Sequence, residues 1–241
     1  MPLPRVLEPE VMAGADEAAE YDEMDFSVTD QRFAERAAKM AGDAAVIVDI
    51  GSGNAKIPLA MCSLLPTETA VCAVEMSAEM LAVAARNRER EKIRAGRLHL
   101  VRGDAKGLPF QAASVDMVTS NSLVHHIPDP VTLFREVARI ARRGGHILIR
   151  DLVRPTSEAA LDELLLTHAT QWSPLQRALF ADSLRAALTV DEVRKLLDEC
   201  DLADVAVSQI TDRHWSAERG PIQQAGPAER GHKQEGPVER A

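Results

Sequence analysis

Three acidic residues stand at or beside the ends of short β-branched runs: Asp49 within Val46–Ile50, Glu75 closing Val71–Glu75, and Asp104 just beyond Leu98–Arg102. The first run passes at once into the turn Gly51-Ser52-Gly53-Asn54. Parallel strands gather their carboxyl ends along one rim of a sheet, and ligands bind there. Three carboxylates on neighbouring strands of that rim suit a ligand with an amine, a ribose diol and an adenine amino group. An acid roughly 20 residues beyond a glycine turn, as Glu75 is, suits ribose hydroxyls. A dinucleotide site would ask for Gly-x-Gly-x-x-Gly, but Lys56 holds the third glycine position and Asp49 would repel a pyrophosphate. A cationic amine beside Asp49 would be welcome instead. Taken alone, the glycine turn signals only a tight passage from strand to helix.

A second group of residues has acid–base chemistry. His125 and His126 follow the run Val115–Ser120, and a neutral imidazole there can take a proton. Either histidine can instead cap or pack the loop before Pro128, as partly buried histidines often do. Asp151, after the run His146–Arg150, is another candidate base, and Arg150 beside it can pair with a carboxylate. His125, His126, Asp151 and Asn121 could be drawn together as ligands. No zinc-type spacing and no carboxylate-rich divalent site supports this, so no metal is expected.

These residues need a sheet to bring them together. Short β-branched runs at 46–50, 71–75, 98–102, 115–120 and 146–150 alternate with helical patterns, which implies a doubly wound parallel sheet. Pro58 fits only the first turn of the helix after the glycine turn. Ser77 caps the next helix. A stripe of Phe134, Val137, Ala138 and Ala141 marks a helix after Pro130 that Gly144-Gly145 should end. Residues 152–188 break the rhythm and read as a helical insert, a lid over an acceptor pocket. Thr189-Val190-Asp191-Glu192 is a capping box. Asp204–Ile210 reads as an edge strand and Asp212–Ala217 as a final strand, with Trp215 in the core or in the acceptor pocket.

The chain allows one domain with trimmings: an acidic arm at 1–26, a body at 27–218 and a Gly/Pro-rich disordered tail at 219–241. The net charge of −9 is uneven, because residues 1–25 hold eight acids against Arg5 and so carry −7 of it. The near-neutral body argues against nucleic acid. The basic run from Arg86 to Arg97 lacks interleaved aromatics and reads as a solvated face. No apolar run is long enough to span a membrane and no secretory signal is evident. Three cysteines without pairing or ligand spacing suit reduced thiols in a cytoplasm.

Five motifs in order carry a resemblance over roughly residues 30–215. They are Val48–Asn54, Val74–Leu81, Gly103–Phe110, Ser114–His126 and Arg142–Leu152. Together they resemble the class I S-adenosylmethionine (SAM)-dependent methyltransferases, nearest in flavour to quinone-biosynthesis and small-molecule methyltransferases. The resemblance implies a Rossmann-like, mostly parallel seven-stranded sheet and SAM as cofactor. It implies that Asp49 holds the methionine amine and that the Gly51-Ser52-Gly53 turn lets the backbone approach the methionine part. Glu75 takes the ribose hydroxyls, Met76 packs on the adenine, and Asp104 and Ala105 meet its edge. Ser120 and Asn121 border the methyl group, while Asp116 is the family's structural acid. Arg32 would hold the methionine carboxylate and Tyr21 would cover the site. Ala55 stands where many members have a third glycine, with little consequence expected. The implied activity is methyl transfer to a small-molecule acceptor. The rivals are an RNA or protein methyltransferase and a SAM-binding module without turnover. Asn121-Ser122-Leu123-Val124 lacks the Asn/Asp-Pro-Pro-Tyr/Phe pattern of many amino-group methylators of nucleic acid.

Overall fold

The computed structural model describes residues 3–8, 22, 26–94 and 96–220. Most of the arm (9–21 and 23–25) and the tail from 221 onward lie outside the described residues. Helix α1 (Ser27–Ala41) buries Phe33, Ala37 and Met40 and stops at Gly42. Then come β1 (Val46–Ile50), α2 (Lys56–Leu64), β2 (Ala70–Glu75), α3 (Ala78–Arg90), β3 (Leu98–Arg102) and β4 (Val115–Asn121). A short 3₁₀ turn (Val124–His126) leads to α4 (Pro130–Ile140) and β5 (Ala141–Leu152). The insert supplies α5 (Glu158–His168) and α6 (Pro174–Ala186), followed by α7 (Val190–Glu199), β6 (Ala206–Gln209) and β7 (His214–Arg219).

The seven strands lie in the order β3-β2-β1-β4-β5-β7-β6. All pairs are parallel except those made by β7 with β5 and β6. β1 is central, which explains its unbroken apolar run: Ile47, Val48 and Ile50 are covered on both faces. One face packs on α4 through Phe134, Val137 and Ile140, and the other on α1 and α2 through Phe33, Met40 and Met61. Leu161, Leu164, Ala181 and Leu184 form a separate small core under the insert. The sheet order reverses between β1 and β4, and that switch point fixes where a crevice opens.

Local signals place the helices. Ser77 Oγ accepts the amide of Met80, and the Ser173 and Thr189 boxes close reciprocally with Gln176 and Glu192. Asp116 is structural as expected: Oδ2 accepts the amides of Ala45 and Val46 at 2.8 Å each, and Oδ1 pairs with Arg142. Three expectations shift. Helix α4 ends at Ile140, before Gly144-Gly145, because the amides of Ala113 and Ser114 take the carbonyls of Arg139 and Ile140. Ala141 then pairs with Val115 and the strand is irregular before Met117 meets His146. The last strand runs two residues further than expected, to Arg219, so the described part of the presumed tail begins inside the sheet. Trp215 is fully buried opposite Asp151 and belongs to the core. Arg97 leaves the basic face: it is buried, donating to the carbonyls of Cys62 and Leu65.

Candidate active site

The crevice at the switch point is lined from three directions. Phe26 and Asp30 come from the start of α1, Asp49 and Gly51–Asn54 from the end of β1, and Asn121 and Ser122 from the end of β4. The amides of Gly51 and Ser52 both donate to the carbonyl of Val74, which pins the turn against β2. Gly51 has φ +70°, and a Cβ there would come 2.7 Å from Leu123, so this position needs glycine on both counts. Ala55 is also left-handed, with φ 61°, and fully buried. A glycine is asked for there on conformational grounds, and alanine carries the strain of that geometry.

Two polar groups in the crevice wall are buried. Burial pushes the carboxyl of Asp49 up to about 7; the Thr119 hydroxyl donating at 2.7 Å works against this, and the charges of Asp30 and Glu75 add to it. Ser52 Oγ is buried without a hydrogen bond. An α-ammonium beside Asp49 and a polar group beside Ser52 would satisfy both, so the wall fits the amino-acid part of SAM. On the neighbouring strand end, Glu75 is held rigid. Its two oxygens accept the amides of Gly53 at 2.9 Å and Ser77 at 2.8 Å, and each keeps a lone pair for a hydroxyl donor. Met76 next to it is 41% exposed, a large apolar side chain at the strand end.

The remaining expected residues fall around this wall. Asp104 is half-buried and tied to Lys106, through its amide at 2.8 Å and its ammonium at 3.0 Å; Ala105 is half-buried beside it. Ser120 donates to the carbonyl of Ile50 at 2.9 Å and so ties β4 to β1. Asn121 faces the crevice and accepts from Arg150 Nε at 2.7 Å. Arg150 also donates to the carbonyl of Thr29 and lies 4.9 Å over the ring of Phe33; burial lowers it to about 10. Arg32 sits on the exposed face of α1, outside the lining, and Tyr21 lies outside the described residues. Asp22 was not anticipated: its carboxylate accepts from Asn54 and Asn87 and pairs with Lys56, fastening residue 22 to the far side of the glycine turn.

The acid–base residues come together more closely than their spacing suggests. His125 Nδ1 and Asp151 Oδ1 are 2.5 Å apart, with both side chains buried. Asp151 Oδ2 also accepts the amide of Val124, so the carboxylate fixes both the ring and the turn that carries it. Burial pulls the imidazole of His125 down, but Asp151 and Glu8 together override it and hold it above its ordinary value. Burial likewise works to raise Asp151, and the charge and hydrogen bond of His125 keep it low. Glu8 comes from the acidic arm. Its Oε1 lies 2.9 Å from His126 Nδ1 and 3.5 Å from His125 Nε2, and its side chain is only 9% exposed. Glu8, His125 and His126 form the one group among the described residues whose possible metal-ligand atoms lie within 4.8 Å of one another.

Residues 48–149 match the family model described as a methyltransferase domain. The demethylmenaquinone methyltransferase of Shouchella clausii is 28% identical over 184 residues, which are 71% of this chain and 75% of that protein. The chain thus carries a methyltransferase domain. The 27-O-demethylrifamycin SV methyltransferase of Amycolatopsis mediterranei is 31% identical over 147 residues, 61% of this chain and about half (52%) of that protein. Among solved structures, a SAM-dependent methyltransferase from Aquifex aeolicus superposes with a TM-score of 0.61 at 14% identity, covering 88% of this chain and all of that one. The plantazolicin methyltransferase gives 0.62 at 17% identity, with 82% and 72% covered. At these identities the two structures speak to the fold.

Proposed function

We propose that the protein transfers the methyl group of SAM to a hydroxyl-bearing small molecule, with the His125–Asp151 pair receiving the proton that the acceptor loses. Bound SAM supplies an electrophilic methyl group on a sulfonium. Asp49 pairs with the ammonium of its amino-acid part, the Gly51–Gly53 turn lies against that part, and Glu75 takes the ribose hydroxyls. Met76, Asp104 and Ala105 border the adenine, and Asn121 borders the methyl group. The observation that carries the acceptor class is the short contact between His125 Nδ1 and Asp151 Oδ1. Asp151 orients the ring through Nδ1, while Nε2 faces Glu8 at 3.5 Å; in its neutral form the imidazole can take a proton that must leave the acceptor. Proximity and orientation supply much of the remaining rate, on the order of 7–11 kcal/mol in favourable cases. The insert 152–188 then forms the acceptor wall. One relative's name fits an oxygen acceptor, since it methylates an oxygen of a rifamycin; the other's names a small-molecule acceptor, a demethylmenaquinone.

No helix among the described residues is long and apolar enough to cross a membrane. The free thiols of Cys62, Cys72 and Cys200 support a reducing, cytoplasmic setting. The test is incubation with methyl-labelled SAM and a panel of phenols, hydroquinones and sugar hydroxyls, following S-adenosylhomocysteine. Tight SAM binding without product from any of them, or from a metabolite extract, would favour a binding module instead.

A further inference from the structure

The segment 3–8 runs as a strap across three parts of the acceptor side. Its backbone amides at Leu3 and Val6 donate to the carbonyls of Pro155, beyond β5, and Arg185, at the end of α6. Arg5 spreads over four carbonyls: Ala186 at 2.7 Å, Ile127 at 2.9 Å, Pro128 at 3.2 Å and His125 at 3.3 Å. Glu8 Oε2 accepts from Ser183 at 3.0 Å, while Oε1 faces both histidines. One short segment thus joins the turn that carries the base to the insert that walls the acceptor.

We propose that Arg5 and Glu8 are positioning residues that hold the His125–His126 turn against the insert and fix the charge of the His125–Asp151 pair from opposite sides. This rests on the reading of that pair as the proton acceptor. The charged groups around His125 are Asp151 from β5, Glu8 and Arg5 from the strap, His126 on the same turn, and Arg154 with Glu192 flanking Arg5. Glu8 pushes the imidazole toward its protonated form and Arg5 pushes it away. The strap therefore sets how much of His125 is neutral, and so able to accept a proton, near neutral pH.

The experiment is an NMR pH titration of the full, untagged chain labelled with ¹⁵N-histidine, in wild type, Glu8→Gln and Arg5→Gln. Glu8→Gln should lower the midpoint of His125 by about one pH unit, the scale of losing an opposite charge within hydrogen-bond reach. Arg5→Gln should raise it. A residue that only packs would not move the midpoint in opposite directions in the two variants. Unmoved midpoints, or shifts of the same sign, overturn the proposal. A transition metal retained by the purified chain and released by Glu8→Gln would also overturn it, since the cluster would then be a metal centre. SAM affinity measured by calorimetry on the same samples should be unchanged. If wild type fails to bind SAM, the methyltransferase reading falls while the titration still decides the role of the strap.

Discussion

The burial of Asp49 makes SAM affinity depend on pH, and the size of the effect can be worked out. Its carboxyl titrates at about 7 in the free protein, chiefly because it is buried at the base of the crevice. Only the ionised form pairs with the ligand ammonium. Near pH 6 about a tenth of the carboxyls are ionised, and near pH 7.5 about three quarters. Over the same interval the ligand's own α-ammonium, with a pKa of roughly 7.7–8.0, falls to about two thirds charged. The product of the two fractions rises about sixfold, or ~1 kcal/mol in binding free energy. The sign for the free protein is opposite. The unfolded chain loses this proton near pH 4 and the folded chain only near 7, so the folded state loses stability across that window as pH rises. A shift of this size corresponds to as much as ~4 kcal/mol, which the bound ammonium offsets. Calorimetry at several pH values, with ionic strength held constant, should show affinity climbing toward neutral pH and turning over near about pH 7.4, midway between the two pKa values. Asp49→Asn should bind more weakly and show no acid limb. A flat wild-type profile, or an acid limb that survives in Asp49→Asn, would refute the assignment of Asp49 to the ammonium.

Three further outcomes are expected. Glu75→Ala should weaken SAM binding by about 1–3 kcal/mol, since it removes a charged acceptor and frees the Gly53 and Ser77 amides; unchanged affinity by calorimetry removes Glu75 from the site. Asp151→Asn should lower turnover by about 100-fold or more, with SAM affinity intact, because it misorients His125; full activity would make the pair structural. Ala55→Gly should raise stability by up to ~1 kcal/mol, the relief of left-handed strain exceeding the loss of one buried methyl. A melting temperature lowered by more than about 2 °C would show that the strain is not there.

The β1–β2 wall of the crevice was legible because its signals are local. Asp49, the glycine turn and Glu75 sit within one β-α-β unit, and parallel pairing of β1 with β2 brings them together. Ser77 and Thr189 announce their helices through side chains three residues from the amides they accept. The cluster around His125 and Asp151 was not legible, because its contacts span the chain. His125 and Asp151 read as two separate bases; only the parallel register of β4 with β5 makes them a pair. Glu8 and Arg5 belong to a segment whose composition suggests a solvated arm, and nothing near them in sequence points to residues 125–128 or 183–186. The early end of α4 was missed for a similar reason, since amides before β4 take its last carbonyls. The left-handed geometry of Ala55 could have been suspected, because alanine replaces an expected glycine at a turn.

The place of β7 has a consequence for how the molecule is assembled. Among the described residues it is the last strand made, yet it lies inside the sheet, bonded to β5 on one side and β6 on the other. Until residues 214–219 emerge during synthesis, β5 presents an unpaired edge carrying Ile147, Leu148 and Ile149, side chains that are buried in the finished protein. An open apolar edge is a template for pairing with another chain. The nascent protein therefore passes through an aggregation-prone stage that ends only when Trp215 seats opposite Asp151. A chain truncated before residue 214 should be found in the insoluble fraction even though its switch-point crevice is complete in sequence.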